Sequence, residues 1–218
     1  MNEPTPSMSA SEVRTAFRAI ATLMDQNRER LCQLDGELGD GDLGLTMSKG
    51  FGAVAKQLDN LETADIGRQF EAAAEVLGDT VASTMGTLLA AGFAEAAKFC
   101  TGKSSLSLPE MATMAQSMAD GIARRGKAKA GDKTILDALL PAAEALKCAG
   151  DNGASLAKGL QLGCEAAEQG ARESAVLQSR QGRAARYLER SKGKQDAGAV
   201  AGAIIYAGLA SVVGSSSR

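Results

Sequence analysis

The chain of 218 residues contains no histidine and no tryptophan, and only two tyrosines and five phenylalanines. Without histidine, a Ser-His-Asp triad, a Cys-His pair and any metal site needing imidazole are excluded within this chain. With aromatics at 3%, platforms for stacking nucleic-acid bases are not expected. The 24 Lys and Arg nearly balance the 26 Asp and Glu, for a net charge of −2. No basic footprint therefore marks nucleic acid or an anionic membrane as a partner. No stretch reaches the roughly 18 apolar residues needed to span a bilayer; the best candidate, Ala197 to Val213, is short and interrupted by three glycines. The N-terminal MNEPTPSMSASEV is polar and lacks the charged-then-apolar layout of a signal peptide. Cys32, Cys100, Cys148 and Cys164 form no C-x-x-C pair. They read as free thiols in a reducing compartment, so the expected location is the cytoplasm.

What is present is globular: 44% hydrophobic and 23% charged residues. The length suits one domain, expected over residues 9–213, with a flexible N-terminus over 1–8 and a flexible tail over 214–218. Alanine and glycine dominate while β-branched and aromatic runs are scarce, which favours closely packed helices. The first helix is expected from Ser9 to Arg30, with Ser9 and Glu12 as a capping box and Val13, Phe17, Ile20 and Met24 at helical spacing. Further helices are expected at Asp42–Leu58, Thr63–Asp79, Thr84–Phe99, Pro109–Ala123, Asp132–Cys148, Ser155–Ala175 and Ala197–Val213. Asp132 is the expected cap of the sixth, and Pro141 the expected site of a kink within it. The fold class is all-α, about eight amphipathic helices joined up-and-down. Helices this rich in alanine and glycine, with few large aromatics, leave room for an apolar cavity.

Two segments resist this pattern. SRQGRAARYLERSKGKQD is strongly basic. L34-D-G-E-L-G-D-G-D-L-G places four glycines and four acids within eleven residues. Asp40 and Asp42 are two apart, so in an extended or turned segment their carboxylates emerge on one side. Three converging carboxylates repel unless a cation neutralises them, and hard oxygen ligands suit Mg²⁺ or Ca²⁺. The plainer alternative is a solvated acidic turn with Asp42 as an N-cap. An EF-hand is excluded, because Gly44, Leu45 and Phe51 occupy its required ligand, glycine and glutamate positions. Gly121 to Ala128 nearly spells a P-loop but lacks the final Ser or Thr and a preceding strand.

Four ordered blocks carry a resemblance. L34-D-G-E-L-G-D-G-D-L-G-L-T-M-S-K-G-F51, G126-K-A-K-A-G-D-K-T134, R183-A-A-R-Y-L-E-R-S and G193-K-Q-D-A-G-A199 resemble, in order, the blocks of the dihydroxyacetone kinase L subunit. The resemblance runs from about Ser9 to Val213. It implies a barrel of eight antiparallel helices with two Mg²⁺ and the phosphates of ADP or ATP at one end. It implies Asp35, Asp40 and Asp42 as metal ligands. The nucleotide contacts it implies are Leu43, Gly44, Leu45, Thr46, Thr84, Met85, Gly126, Ile135, Arg183, Asp196, Ala197 and Gly198. No catalytic residue beyond the metal ligands is implied. In the family a separate K subunit holds the ketose through its own histidine, which fits a chain without one. A phosphotransferase protein recharges a fixed ADP in one version of the family, whereas the other exchanges ATP and ADP.

This chain departs from the family pattern in three places. Leu43 stands where the family has a histidine, Ala82-Ser83-Thr84-Met85-Gly86 replaces a Gly-Gly-x-Ser-Gly loop, and Arg186 to Arg190 replaces a Tyr-Leu-Gly-Glu-Arg stretch. A guanidinium contacts phosphate bidentately, which suits Arg183; the alternative is a solvated charge among Arg180, Arg186 and Arg190. Asp196 either stabilises its loop or meets the nucleotide, and Lys133 and Thr134 read as the start of a helix. A different class remains: a binding or regulatory module like the relatives that serve a fatty-acid kinase. Retention of the three aspartates argues against that reading.

Overall fold

The computed structural model describes residues 7–81 and 83–213; the tail over 214–218 lies outside them, as do residues 1–6. The chain folds as α1 (Ala10–Gln26), α2 (Arg28–Gly36), α3 (Leu43–Asp59), α4 (Ile66–Thr80), α5 (Thr84–Cys100), α6 (Leu108–Gly126), α7 (Leu136–Asp151), α8 (Leu156–Glu173) and α9 (Ala197–Val213). Two short strands, β1 (Ser7–Ser9) and β2 (Ser105–Ser107), pair antiparallel with Met8 opposite Leu106. Met8 is fully buried, so Ser7 and Met8, within the segment over 1–8 expected to be flexible, are packed into the fold; the rest of that segment lies outside the described residues. Among the described residues no helix is long and apolar enough to cross a membrane.

Among the described residues, eight long helices close into a ring in the order α1, α3, α4, α5, α6, α7, α8, α9 and back to α1. Local contacts set its polarity. Arg18 of α1 pairs with Asp59 at the end of α3, while Ser48 near its start bonds Asp25. Gly67 at the start of α4 lies against Thr101 after α5, and Gly170 at the end of α8 against Asp137 at the start of α7. Neighbours therefore run antiparallel, and one end of the ring collects the N-termini of α3, α5, α7 and α9. Small residues allow close approach: a Cβ on Gly92 of α5 would stand 2.8 Å from the Ile122 side chain of α6. The carbonyl of Asp137, four residues before Pro141, lacks its usual helical donor because proline has no N–H. It is the atom against which Gly170 packs, and α7 continues through Pro141 to Asp151.

Phe17, Phe70 and Phe93 meet inside the ring with centroids 5.6 to 5.8 Å apart, and Phe51 packs edge-on to Phe93 at 6.2 Å. Flexible Met111, Met114 and Met118 line what remains, a cavity of about 30 Å³, barely room for a water molecule. The expected apolar cavity is thus nearly filled.

Several boundaries moved for local reasons. The Ser9–Glu12 capping box forms as expected, but the first helix breaks at Asn27, whose side chain turns back to the Leu23 carbonyl at 2.9 Å. The continuation, α2, carries Asp35 in its last turn, so Asp35 sits on a helix and not in the loop. Asp132 does not cap α7. Asp137 does this work from inside the helix, accepting from the Thr134 amide at 2.7 Å and the Gly131 amide at 2.6 Å. Asp65 caps α4 through the amides of Gly67 and Arg68, and a second capping box, Ser107 with Glu110, starts α6.

Candidate functional site

The acidic turn after α2 is built around Asp35. Its Oδ2 accepts from the amides of Gly41 at 2.9 Å, Asp42 at 3.1 Å and Leu43 at 3.4 Å. Gly39 leaves space for this carboxylate, since a Cβ there would stand 2.5 Å from Asp35 Oδ1. Gly41 supplies the positive φ, +77°, that turns the chain. Asp42 occupies the N-cap position of α3 but makes no capping bond, because Asp35 has taken that role. Its carboxylate is left to converge with the others: oxygens of Asp35, Asp40 and Asp42 all lie within 4.8 Å of one another. Burial and repulsion from Asp40 and Asp35 raise the Asp42 pKa. The cluster is short of positive charge, and its donors are all hard carboxylate oxygens, a set that fits Mg²⁺.

These carboxylates line one wall of a pocket of about 610 Å³. The other walls come from the starts of the alternate helices: Leu43 and Thr46 of α3, Thr84, Met85 and Leu88 of α5, Thr134 and Ile135 before α7, and Asp196, Ala197 and Gly198 at α9. Four helix N-termini facing one pocket place partial positive charge and amide donors there, an arrangement suited to an anion such as phosphate. Up-and-down connectivity produces this convergence, because every second helix starts at the same end.

The basic segment lies across the acidic turn. It forms a 3₁₀ stretch, Arg183–Ser191, interrupted at Leu188 with φ +49°. Arg183 reaches Asp40 at 2.6 Å and Lys194 reaches Glu37 at 3.2 Å. Asp196 caps α9, its Oδ1 accepting from the Ala199 amide at 2.7 Å while its own amide donates to Ser174 Oγ. Burial beside Asp137 and Asp35 pushes its pKa up to about 7, against the opposing pull of that amide and Lys133. The four exposed large apolar side chains among the described residues, Leu45, Val176, Tyr187 and Leu188, all belong to this end of the ring.

Most of the residues singled out from the sequence meet in the pocket: Asp35, Asp40, Asp42, Leu43, Thr46, Thr84, Met85, Ile135, Arg183, Asp196, Ala197 and Gly198. Three do not line it. Gly44 is buried against α2, where a Cβ would collide with the Arg28 carbonyl. Leu45 points to solvent, 58% exposed. Gly126 ends α6 and lies under the Leu88 side chain. Sequence reasoning missed Lys133, which is 2% exposed and lines the pocket floor. Its left-handed backbone, φ +62°, was the feature that a helix-start reading could not anticipate.

A family model described as the DAK2 domain matches residues 37–211. The chain belongs to the DAK2 domain family. Among DAK2 relatives, the ADP-binding subunit DhaL of the PEP-dependent dihydroxyacetone kinase of Escherichia coli K12 is 34% identical over 88% of this chain and 92% of its own length. L-Erythrulose kinase of Pectobacterium atrosepticum is 31% identical over 93% of this chain, which covers 35% of that longer protein. The crystal structure of the dihydroxyacetone kinase of C. freundii in its native form superposes with a TM-score of 0.73 at 25% identity. That match covers 96% of this chain and 35% of that one. The helical ring of this DAK2 chain is therefore shared with a solved kinase, and the carboxylate cluster and the helix N-termini sit at one end of it.

Proposed function

We propose that this chain is the nucleotide-binding subunit of a dihydroxyacetone-type ketose kinase. ADP or ATP would occupy the pocket with two Mg²⁺, and the phosphoryl group would pass to a ketose held on a separate K subunit. The observation that carries this reading is the convergence of Asp35, Asp40 and Asp42 opposite Arg183 at a pocket fed by four helix N-termini. Phosphoryl transfer asks a protein mainly for positioning and charge neutralisation. Asp35, Asp40 and Asp42 would hold the magnesium, which supplies neutralisation of phosphate charge when bound. Asp35 fixes the turn through three amides, and Arg183 offers a guanidinium to a phosphate oxygen. The start of α3 adds its dipole.

The acceptor is expected elsewhere. No histidine is available to hold a carbonyl, and the exposed Leu45, Val176, Tyr187 and Leu188 at the pocket end offer an apolar rim to a docking partner. Relatives at 34% identity are named ADP-binding subunits of PEP-dependent kinases. This supports ADP as a retained cofactor recharged by a phosphotransferase protein, in the cytoplasm where such a relay operates. The regulatory-module reading loses ground because Asp35, Asp40 and Asp42 are all present and their carboxylates converge.

The test is to follow ADP through gel filtration of the purified protein. Dihydroxyacetone phosphorylation is then assayed with and without a K subunit, using either ATP or a phosphotransferase donor. Retained ADP and turnover only with the K subunit are expected. No nucleotide binding at all, or robust turnover by the isolated chain, would overturn the proposal.

A further inference from the structure

The Lys133 side chain is almost wholly inside the protein, yet all three of its acceptors are backbone carbonyls: Leu177 at 3.1 Å, Ser191 at 2.6 Å and Lys194 at 2.6 Å. An ammonium has three N–H donors, and here each reaches one carbonyl. The three carbonyls bracket the segment that carries Arg183. That segment is poor in regular structure, with positive φ at Gly182, Leu188 and Gly193, and it lies outside the closed ring of helices. Its other ties are local, run to Asp132 and to the Lys127 carbonyl, which accepts from Gln181 Nε2 at 3.2 Å, or are the exposed ion pairs of Arg183 with Asp40 and Lys194 with Glu37. The Asp132 carbonyl accepts from the Arg180 amide at 3.0 Å, and its carboxylate accepts from Gln181 Nε2 at 3.4 Å. The dipeptide 132–133 thus grips the segment at both ends and in depth, and the positive φ of Lys133 turns its side chain inward to do so.

We propose that Lys133 is a positioning residue for the phosphate site: its ammonium fixes segment 177–194 so that Arg183 stands over the carboxylate cluster. Acceptors on the backbone mean that no substitution within the segment replaces this tie. Removing the ammonium leaves three carbonyls without their donor, and the segment can satisfy them only by moving toward water. The ring does not depend on the segment, so the fold persists while Arg183 loses its place. This inference rests on the nucleotide reading above.

The experiment uses the full chain with Lys133→Met, Arg183→Gln and the double variant. Mg²⁺-ADP binding is measured by calorimetry, and amide hydrogen exchange is followed by mass spectrometry. Lys133→Met is expected to weaken Mg²⁺-ADP binding about tenfold or more, as loss of a charge-assisted phosphate contact would. It should add little once Arg183 is already Gln. Exchange should rise in 177–194 and stay unchanged in α1 and α3 to α6. A folded Lys133→Met protein with wild-type affinity, or with an effect that adds fully to that of Arg183→Gln, overturns the proposal. Should Lys133→Met fail to fold, Lys133→Arg retains charge and donors but not the tetrahedral geometry. Reduced affinity with exchange raised only in 177–194 then supports the proposal, and wild-type values for both refute it. Wild-type protein that binds no nucleotide refutes the functional reading instead, and the exchange arm still decides whether Lys133 holds the segment.

Discussion

The Arg183 guanidinium stands 2.6 Å from the Asp40 carboxylate, joining the basic segment to the acidic turn at the mouth of the pocket. Both side chains are well exposed, 62% and 39%, so the pair contributes at most about 1 kcal/mol to stability. On the proposed reading its significance is placement: a planar cation held beside three converging carboxylates, where a metal-bound phosphate would arrive. Arg183→Gln is expected to leave the thermal midpoint nearly unchanged. It should weaken Mg²⁺-ADP binding about 10- to 100-fold, the span of roughly 1.5 to 3 kcal/mol for a hydrogen bond to a charged group. Calorimetry beside a thermal melt separates the two effects, and unchanged affinity would return Arg183 to the status of a solvated charge.

Asp35 and Asp40 should fail differently. Asp40→Asn removes charge from an exposed side chain, so Mg²⁺-dependent ADP binding is expected to disappear while the melt stays within about 0.5 kcal/mol of wild type. Asp35→Ala also strips the amides of Gly41, Asp42 and Leu43 of their acceptor, and should cost about 1 to 3 kcal/mol in addition. Chemical denaturation of both variants in EDTA checks this, and equal stabilities would show that the turn does not depend on Asp35.

The helices were largely legible because alanine-rich amphipathic segments with Ser or Asp caps allow few alternatives; Ser9 with Glu12 is the clearest case. The acidic turn was legible as chemistry, since three aspartates among glycines repel without a cation. Its division of labour was not. That Asp35 caps α3 while Asp42, at the cap position, makes no capping bond depends on how α2 folds back, and Asn27 gives only a weak sign of the break before α2. Gly44 and Gly126 stand within motif blocks that imply nucleotide contact, yet neither lines the pocket, and each lies in close packing, against the Arg28 carbonyl and the Leu88 side chain. Lys133 escaped notice because a lysine before a helix is ordinarily solvated, and only tertiary structure shows the three carbonyls waiting for it.

Asp196 sets a pH dependence. Its folded pKa, about 7, lies above the unfolded carboxylate value near 3.9. Between those values the native state binds more protons than the unfolded one, so this group makes stability fall as pH rises from about 4 to about 7. The slope stays below about 1.4 kcal/mol per pH unit, because a single carboxyl takes up at most one proton. Asp137, Lys133 and Asp35 face the same carboxyl, and bound metal would alter the balance, so the measurement belongs in EDTA. Asp196→Asn keeps an oxygen for the Ala199 amide and should flatten this component of the pH profile, with greater stability than wild type at pH 8. An unaltered profile in denaturant titrations from pH 5 to 8 would contradict the assignment.

Gly44 offers a test of how packing reaches the chemistry. A Cβ at this position would drive into the Arg28 carbonyl and stand 2.8 Å from Cys32 Sγ, so α2 must move to admit it. Asp35 rides on α2 and holds both the turn and the first amide of α3. Gly44→Ala should therefore destabilise the protein by about 1 to 3 kcal/mol, as overpacking does, and also weaken Mg²⁺ binding although Gly44 does not line the pocket. Gly52, on the same helix, has nothing within 4 Å of its would-be Cβ. There the same substitution should stabilise by about 0.5 to 1 kcal/mol through helix propensity alone, with metal binding unchanged. Denaturant melts and Mg²⁺-ADP calorimetry on the two variants give opposite signs for stability if α2 is the link. A Gly44→Ala protein that melts and binds like wild type would show that α3 and the acidic turn tolerate a displaced α2, and that Asp35 is not tied to it as the structure indicates.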